Sequence, residues 1–332
     1  MNNALLTSRD ILLEVENLRV YFYTRKGIVK AVDGVSFNIL KGEVFGLVGE
    51  SGCGKSTTGL AVMRLIQWPG RIIDGRIIFK NEDLLKKSED EMRRIRGSKI
   101  SMIFQEPTTS LNPVFTVGEQ VAESIMIHQS VERREAQVKV LEMLRKVGIA
   151  EPERVAKQYP HELSGGMAQR VMIAIAFSCN PDLLIADEPT TALDVTIEAQ
   201  ILELMKDLVR EMGTSVLLIT HDLGIVAENC NRVAVMYAGK IVEIADVKTI
   251  FKKPMHPYTV ALLQAIPKFQ GRKQPLPEIE GVVPSLIDPP SGCRFHPRCK
   301  QSKNVCSKQE PRLLEVEPGH LVSCFHIGEP KC

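Results

Sequence analysis

The chain has 332 residues, of which 44% are hydrophobic and 25% charged; this composition supplies enough apolar material for a sizeable core and excludes a chain disordered throughout. Lys and Arg number 42 against 40 Asp and Glu, a net charge of +2, so no global field selects nucleic acid or anionic lipid as a partner. No apolar run approaches the roughly 18 residues that span a bilayer, and the start, MNNALLTSRD, lacks the basic and apolar regions of a secretory signal, so a cytoplasmic protein is expected.

Residues 11–20 (ILLEVENLRV) and 35–40 (VSFNIL) read as early strands. Lys41-Gly42 then turns into a buried strand at 44–48, and a helix is predicted from Lys55 through Ile66. Further strands are predicted at 76–80, 99–104, 183–186 and 215–220. Residues 115–178 break this rhythm and read mostly as helix, with Val140, Leu141, Leu144 and Val147 at helical spacing. A second clear helix covers 196–211, with Ile197, Ile201, Leu204, Met205 and Leu208 on one face. Short apolar strands interleaved with helices imply an α/β core around a buried sheet, with a helical block inserted between two of its strands. Composition shifts near residue 253. Pro254, Pro257, Pro267, Pro275, Pro277, Pro284, Pro289 and Pro290 fall in the stretch to 292, which is expected to be an irregular extension leading into a Cys-rich tail.

Gly49-Glu50-Ser51-Gly52-Cys53-Gly54-Lys55-Ser56-Thr57 is G-x-x-x-x-G-K-S, placed after a predicted strand and opening a predicted helix. The glycines permit close backbone approach, so successive N–H groups can wrap phosphate oxygens, and the helix N-terminus adds partial positive charge there. Lys55 is suited to the β- and γ-phosphates and Ser56 to Mg²⁺; Cys53 is read as a small filler. The strand Leu183-Leu184-Ile185-Ala186 delivers Asp187 and Glu188, the first suited to Mg²⁺ through water and the second to a general base on the attacking water. Leu163-Ser164-Gly165-Gly166-Met167 precedes a helical run and is another anion-binding helix start.

With this Ser-Gly-Gly segment between the two nucleotide motifs, the sequence resembles the ATP-binding cassette (ABC) ATPases over about residues 11–250, Met167 standing where their L-S-G-G-Q signature ends in Gln. Gln105 matches their Q-loop, Ala192-Leu193-Asp194 their D-loop, His221 their switch histidine, and Phe22 or Tyr23 the aromatic that stacks on adenine. The resemblance implies a P-loop ABC core with a mostly parallel sheet, an N-terminal antiparallel β region and an inserted helical subdomain at about 106–178. This gives a nucleotide-binding domain over 1–252 and an extension over 253–332. It also implies ATP and Mg²⁺ as ligands, with Ser56, Gln105 and Asp187 at the metal, and Lys55, Glu188, His221 and Gln105 in the catalytic machinery. ATP would be sandwiched between two chains, one giving its phosphate loop and the other Ser164, Gly165 and Gly166.

A narrower resemblance, to the ATPases of dipeptide and oligopeptide importers, rests on Met102-Ile103-Phe104-Gln105-Glu106-Pro107-Thr108-Thr109-Ser110-Leu111-Asn112-Pro113, on His256-Pro257-Tyr258-Thr259 with Ala261-Leu262-Leu263, and on Gly292-Cys293-Arg294-Phe295-His296-Pro297-Arg298-Cys299. Nickel importers share much of this, so the cargo stays open between peptide and nickel. A soluble ABC protein of DNA repair or translation is the alternative of another class. The resemblance implies a paralogous ATPase partner, two membrane permease subunits and an external peptide-binding protein. It implies a peripheral place on the cytoplasmic face of the membrane and no nucleic acid partner.

Cys293, Cys299, Cys306 and Cys324 are spaced C-x5-C-x6-C-x17-C. Four thiolates can hold zinc or a [4Fe–4S] cluster. The wide spacing lacks the paired knuckles usual for structural zinc, and the tails of peptide-import ATPases are compatible with an iron–sulfur cluster. The expected occupant is therefore [4Fe–4S], with zinc or no metal as alternatives, His296, His320 and His326 as alternate ligands and Cys332 as a bystander.

Overall fold

The computed structural model describes residues 11–191, 193–265 and 279–327. The MNNALLTSRD start, Ala192, Pro267, Pro275, Pro277 and Cys332 lie outside the described residues. The chain runs through β1 (Ile11–Thr24), β2 (Gly27–Leu40), β3 (Val44–Val48), α1 (Lys55–Val62), β4 (Gly70–Phe79), β5 (Glu82–Asp83), α2 (Glu89–Ile95) and β6 (Ile100–Ile103). There follow α3 (Pro107–Ser110), α4 (Val117–Gln129), α5 (Arg133–Lys146), α6 (Pro152–Val155), α7 (Gly165–Phe177), β7 (Leu183–Asp187) and α8 (Val195–Met212). The last elements are β8 (Ser215–Thr220), α9 (Leu223–Asn229), β9 (Arg232–Tyr237), β10 (Lys240–Asp246), α10 (Val247–Lys252), α11 (Pro257–Gln264), β11 (Leu314–Glu317) and β12 (His320–Val322). Two compact units result, one from Met1–Leu85 with Ile219–Cys332 and the other from Lys86–Leu218.

In the first unit β1 pairs antiparallel with β2 and β4, and β4 with β5. The buried residues of β1, Leu12, Leu13, Val15, Leu18 and Val20, do not keep a strict alternation. An irregularity between Val15 and Leu18, with Asn17 at φ 47, inserts the extra residue that returns both halves of the strand to the same face. The N–H of Asn17 donates to Ser36 Oγ at 2.8 Å, which satisfies the bulge locally. A second set of strands in this unit runs β3 parallel to β9, then β9 antiparallel to β10, β10 to β12 and β12 to β11. Phe37 of β2 stacks on Phe45 of β3 with ring centroids 5.4 Å apart, and Arg232 lies over the Phe45 ring.

In the second unit β6 runs parallel to β7 with Ile100 opposite Leu183, and every residue of both strands is buried. This continuous burial, apolar but for Ser101 and the terminal Asp187, is what a parallel pair covered on both faces requires. The helices α3–α7 all fall between these two strands in sequence, as the helical insertion predicts. A capping box of Thr116 and Glu119 starts α4. On α5 the buried stripe is Ala136, Val140, Met143 and Leu144, so Leu141 sits at its margin. Ile201, Met205 and Leu208 are the buried members of the α8 stripe.

Several elements differ from expectation. The helix expected to reach Ile66 ends at Val62, because Arg64 takes φ 52 and the chain turns toward β4. The strand expected at 76–80 starts already at Gly70. Strands β9 and β10 were not among those predicted. The tail is not wholly irregular, since β11 and β12 form a hairpin that joins β10 through Glu243 opposite Val322. Such short strands carry no readable alternation, and pairing with a ready-made edge sets them. No helix among the described residues is long and apolar enough to cross a membrane. Phe45→Ala is expected to destabilise the protein by about 3–5 kcal/mol, read as a lowered urea midpoint at unchanged slope.

Candidate functional site

Residues 49–54 link β3 to α1. Gly49 and Gly54 are required by contact: a Cβ on the first would lie 2.1 Å from the Met236 carbonyl oxygen, and on the second, at φ 108, 2.2 Å from that of Ala31. Backbone thus closes on both ends of the loop. The buried Lys55 folds back over it, donating from Nζ to the carbonyls of Gly49 at 2.8 Å and Glu50 at 3.2 Å. Ser51 and Gly52 are exposed, while Ser56 and Thr57 are half-buried on the first turn of α1. The Cys53 carbonyl accepts from Gly239 N–H at 2.8 Å. Burial pushes the Cys53 thiol up to about 11, so it stays protonated near neutral pH and is inert, as a filler should be.

The first unit also carries His221, exposed directly after β8, where Asp222 caps α9 by accepting from Gly224 N–H at 2.6 Å. Of the two candidate aromatics, Phe22 is half-buried against Gly70. Tyr23 is 45% exposed, with the Arg71 guanidinium 5.8 Å from its ring centroid. Tyr23 is therefore the aromatic that offers a face.

In the second unit β7 ends in the buried Asp187. Glu188 follows at φ 45, a left-handed conformation uncommon for a residue with a side chain. Its Oε2 accepts from Gln105 Nε2 at 3.0 Å and from Thr191 Oγ1 at 2.9 Å. The parallel pairing of β6 and β7 brings Gln105 and Glu188 together across 83 residues. Ser164 caps α7, its Oγ accepting from Met167 N–H at 3.4 Å, with Ser164 and Gly165 exposed. A Cβ on Gly166 would come within 3.1 Å of Ile197 Cγ2, and one on Gly165 within 3.8 Å of Leu193 Cδ2. The turn bearing Asp194, which precedes α8, therefore lies against the start of α7.

Cys293, Cys299, Cys306 and Cys324 converge on one pocket, together with His256, Phe295, His296 and His326. Burial is the first cause that raises the thiols of Cys293, Cys299 and Cys324, the first to about 11, and the neighbouring cysteines raise them further. None of these cysteines is in a disulfide. No three His, Cys, Asp or Glu side chains among the described residues are grouped so as to hold a metal ion. His320 is not a pocket residue: its Nε2 lies 2.8 Å from Glu243 Oε1, in a fully buried pair. Sequence reading missed Tyr258 and Arg298 as residues of the phosphate loop, although both lie in motifs it singled out. Tyr258 Oη accepts from Glu50 N–H at 3.0 Å, and Arg298 pairs with the Glu50 carboxylate.

The family model described as ABC transporter matches residues 32–191, and that described as the oligopeptide/dipeptide transporter C-terminal region matches 242–306. The chain is 54% identical over 322 residues to a probable peptide ABC transporter ATP-binding protein, y4tR, of Sinorhizobium fredii, covering 96% of each. It is 54% identical to the oligopeptide transport ATP-binding protein AppD of Bacillus subtilis, over 96% of this chain and 97% of that one. The dipeptide transport ATP-binding protein DppD of Escherichia coli is 47% identical over 95% of this chain and 96% of its own. Among solved structures, the dimeric post-hydrolysis cassette MJ0796 bound to ADP and Pi is similar with a TM-score of 0.64 at 29% identity, over 71% of this chain and 99% of that one. The chain belongs to the ABC transporter ATP-binding proteins, and it is an ABC-type ATPase.

Proposed function

We propose that the chain hydrolyses ATP to power import of dipeptides or oligopeptides across the cytoplasmic membrane. The observation that carries this is the near-full-length identity to peptide-transport ATP-binding proteins, the C-terminal extension included. The chemistry follows from residue types. Lys55 and the loop N–H groups bind the phosphates, Tyr23 stacks on adenine, and Glu188 accepts the proton of the water attacking the γ-phosphorus, so that ADP and phosphate form. Gln105 and Thr191 aim the Glu188 carboxylate, and His221 holds the γ-phosphate. Ser56, Gln105 and Asp187 are the proposed ligands of Mg²⁺, which when bound would neutralise charge on the phosphate oxygens. Ser164, Gly165 and Gly166 act on the nucleotide of a second ATPase chain, beside Asp194. ATP stabilises the closed pair of chains and its loss reopens it, shifting a two-state equilibrium. The nucleotide-binding domain is assigned to 1–252, with the helical subdomain at about 106–178, and the extension to 253–332. A paralogous ATPase, two permeases and an external binding protein complete the proposed transporter, with this chain peripheral on the cytoplasmic face.

The four-cysteine pocket is proposed to hold a [4Fe–4S] cluster. The four cysteines lining one pocket support this reading, because four Cys thiolates are the ligand set of such a cluster. A cluster there would contribute folding energy to an extension with little core of its own.

Glu188→Gln is expected to keep ATP binding and to lower turnover roughly 10²–10⁴-fold; equal phosphate release by variant and wild type would remove Glu188 from the role of base. Protein purified without oxygen is expected to be brown, with about four iron and four sulfide per chain, and Cys299→Ser to lose both. Zinc in place of iron and sulfide would reject the cluster.

A further inference from the structure

Every polar group of Glu50, the first variable residue of the phosphate loop, is committed. Its carbonyl accepts from Lys55 at 3.2 Å and its N–H donates to Tyr258 Oη at 3.0 Å. Its carboxylate takes both arms of Arg298, Nη1 to Oε2 at 2.8 Å and Nη2 to Oε1 at 3.1 Å. The Arg298 side chain is only 5% exposed although it lies 248 residues away in sequence. The rest of its guanidinium is fixed by the carbonyls of Ile279 and Glu280, each at 3.0 Å, and by Tyr237 Oη at 3.3 Å. Tyr237, Tyr258 and Phe295 pack together with ring centroids 4.6–5.4 Å apart, so the two residues that grip Glu50 share one aromatic platform. A carboxylate at the lip of a loop built for a triphosphate repels its own ligand unless it is neutralised, and a bidentate guanidinium neutralises it while fixing its direction.

We propose that Arg298 is a positioning residue of the ATPase. By pairing with Glu50 it cancels that residue's negative charge at the phosphate loop, so that the C-terminal extension sets the affinity for ATP. This rests on the ATPase reading, and wild-type protein with Lys55→Ala tests that reading separately. Arg298 acts through Glu50 and touches no reacting atom, so its removal moves binding and leaves the chemical step alone.

ATP affinity by titration calorimetry and steady-state ATPase kinetics are to be measured on the full chain for wild type, Arg298→Ala, Arg298→Lys, Glu50→Gln and the Glu50→Gln/Arg298→Ala double variant. Arg298→Ala is expected to raise Kd and KM for ATP about tenfold with kcat within about twofold. Arg298→Lys should fall between the two, since Lys keeps the charge but not the fork. Glu50→Gln alone should not weaken ATP, and in the double variant it should return the affinity to within about threefold of wild type. A merely structural Arg298 would give a double variant as weak as, or weaker than, Arg298→Ala, and that result overturns the proposal. So does an unchanged KM in Arg298→Ala. Should Arg298→Ala not fold, as judged by its thermal melt, Arg298→Lys and Glu50→Gln decide: equal affinity in wild type and Arg298→Lys, or weakened ATP in Glu50→Gln, overturns it. Failure of wild type to bind ATP, or binding that survives Lys55→Ala unchanged, strikes the ATPase reading instead.

Discussion

A loop of backbone N–H groups binds a triphosphate well only if its geometry exists before the ligand does, because ordering it afterwards would consume the binding energy. The close approach of backbone to backbone at Gly49 and Gly54 supplies that order. Carbonyls of Ala31 and Met236 occupy the space that any Cβ would need. The loop is thereby held from β2 on one side and β9 on the other, and Gly239 ties down Cys53 between them. The antiparallel sheet, the parallel β3–β9 pair and the turn into α1 all serve this one enclosure. The bulge at Asn17 belongs to the same economy, since it keeps both halves of β1 packed while β2 reaches the loop.

The second unit solves a different problem. A general base, the role proposed for Glu188, has to present its carboxylate in one direction, and Glu188 sits where the chain leaves β7 in a left-handed conformation. Such a conformation persists only where the surroundings over-determine it. The buried parallel pair β6–β7 fixes the strand end, and Gln105 and Thr191 hold the carboxylate from two sides. The helical insertion between β6 and β7 ends in α7, so the Ser-Gly-Gly start of that helix and the Glu188 turn share one framework. Gln169, buried on α7, donates to the Pro189 carbonyl just beyond the base.

The extension has few apolar residues, yet it is anchored. Phe295 inserts among Tyr237, Tyr258 and the buried residues of β9, β10 and α10, with Cys293 and Cys299 packed alongside. Arg294 and Arg298 flank that anchor. The first pairs with Asp33 at β2 and the second with Glu50. Two buried arginines thus tie a segment without a core of its own to the strands and loop that hold the nucleotide. Removing either carboxylate would leave a largely buried guanidinium uncompensated, which is costly.

Much of this was legible in the sequence, where chemistry is written in contiguous residues. The loop and helix start at Gly49 to Thr57, the strand-end acids Asp187-Glu188 and the helix start at Ser164-Gly165-Gly166 are readable because they are local structures with local requirements. The apolar runs at 44–48, 183–186 and 215–220 gave the buried strands for the same reason. Other features depend on distant partners. The tail strands β11 and β12 exist because β10 offers an edge, and Arg64 ends α1 early because of the turn that follows. Which of Phe22 and Tyr23 stays exposed depends on which ring the neighbouring β4 covers. By sequence His320 is one of three alternates to the cysteine ligands, but the fold pairs it with a buried Glu243. The Glu50–Arg298 contact spans 248 residues. Sequence determined which groups could do chemistry, and tertiary structure decided which of them meet, because burial and pairing are properties of the folded neighbourhood and not of the residue.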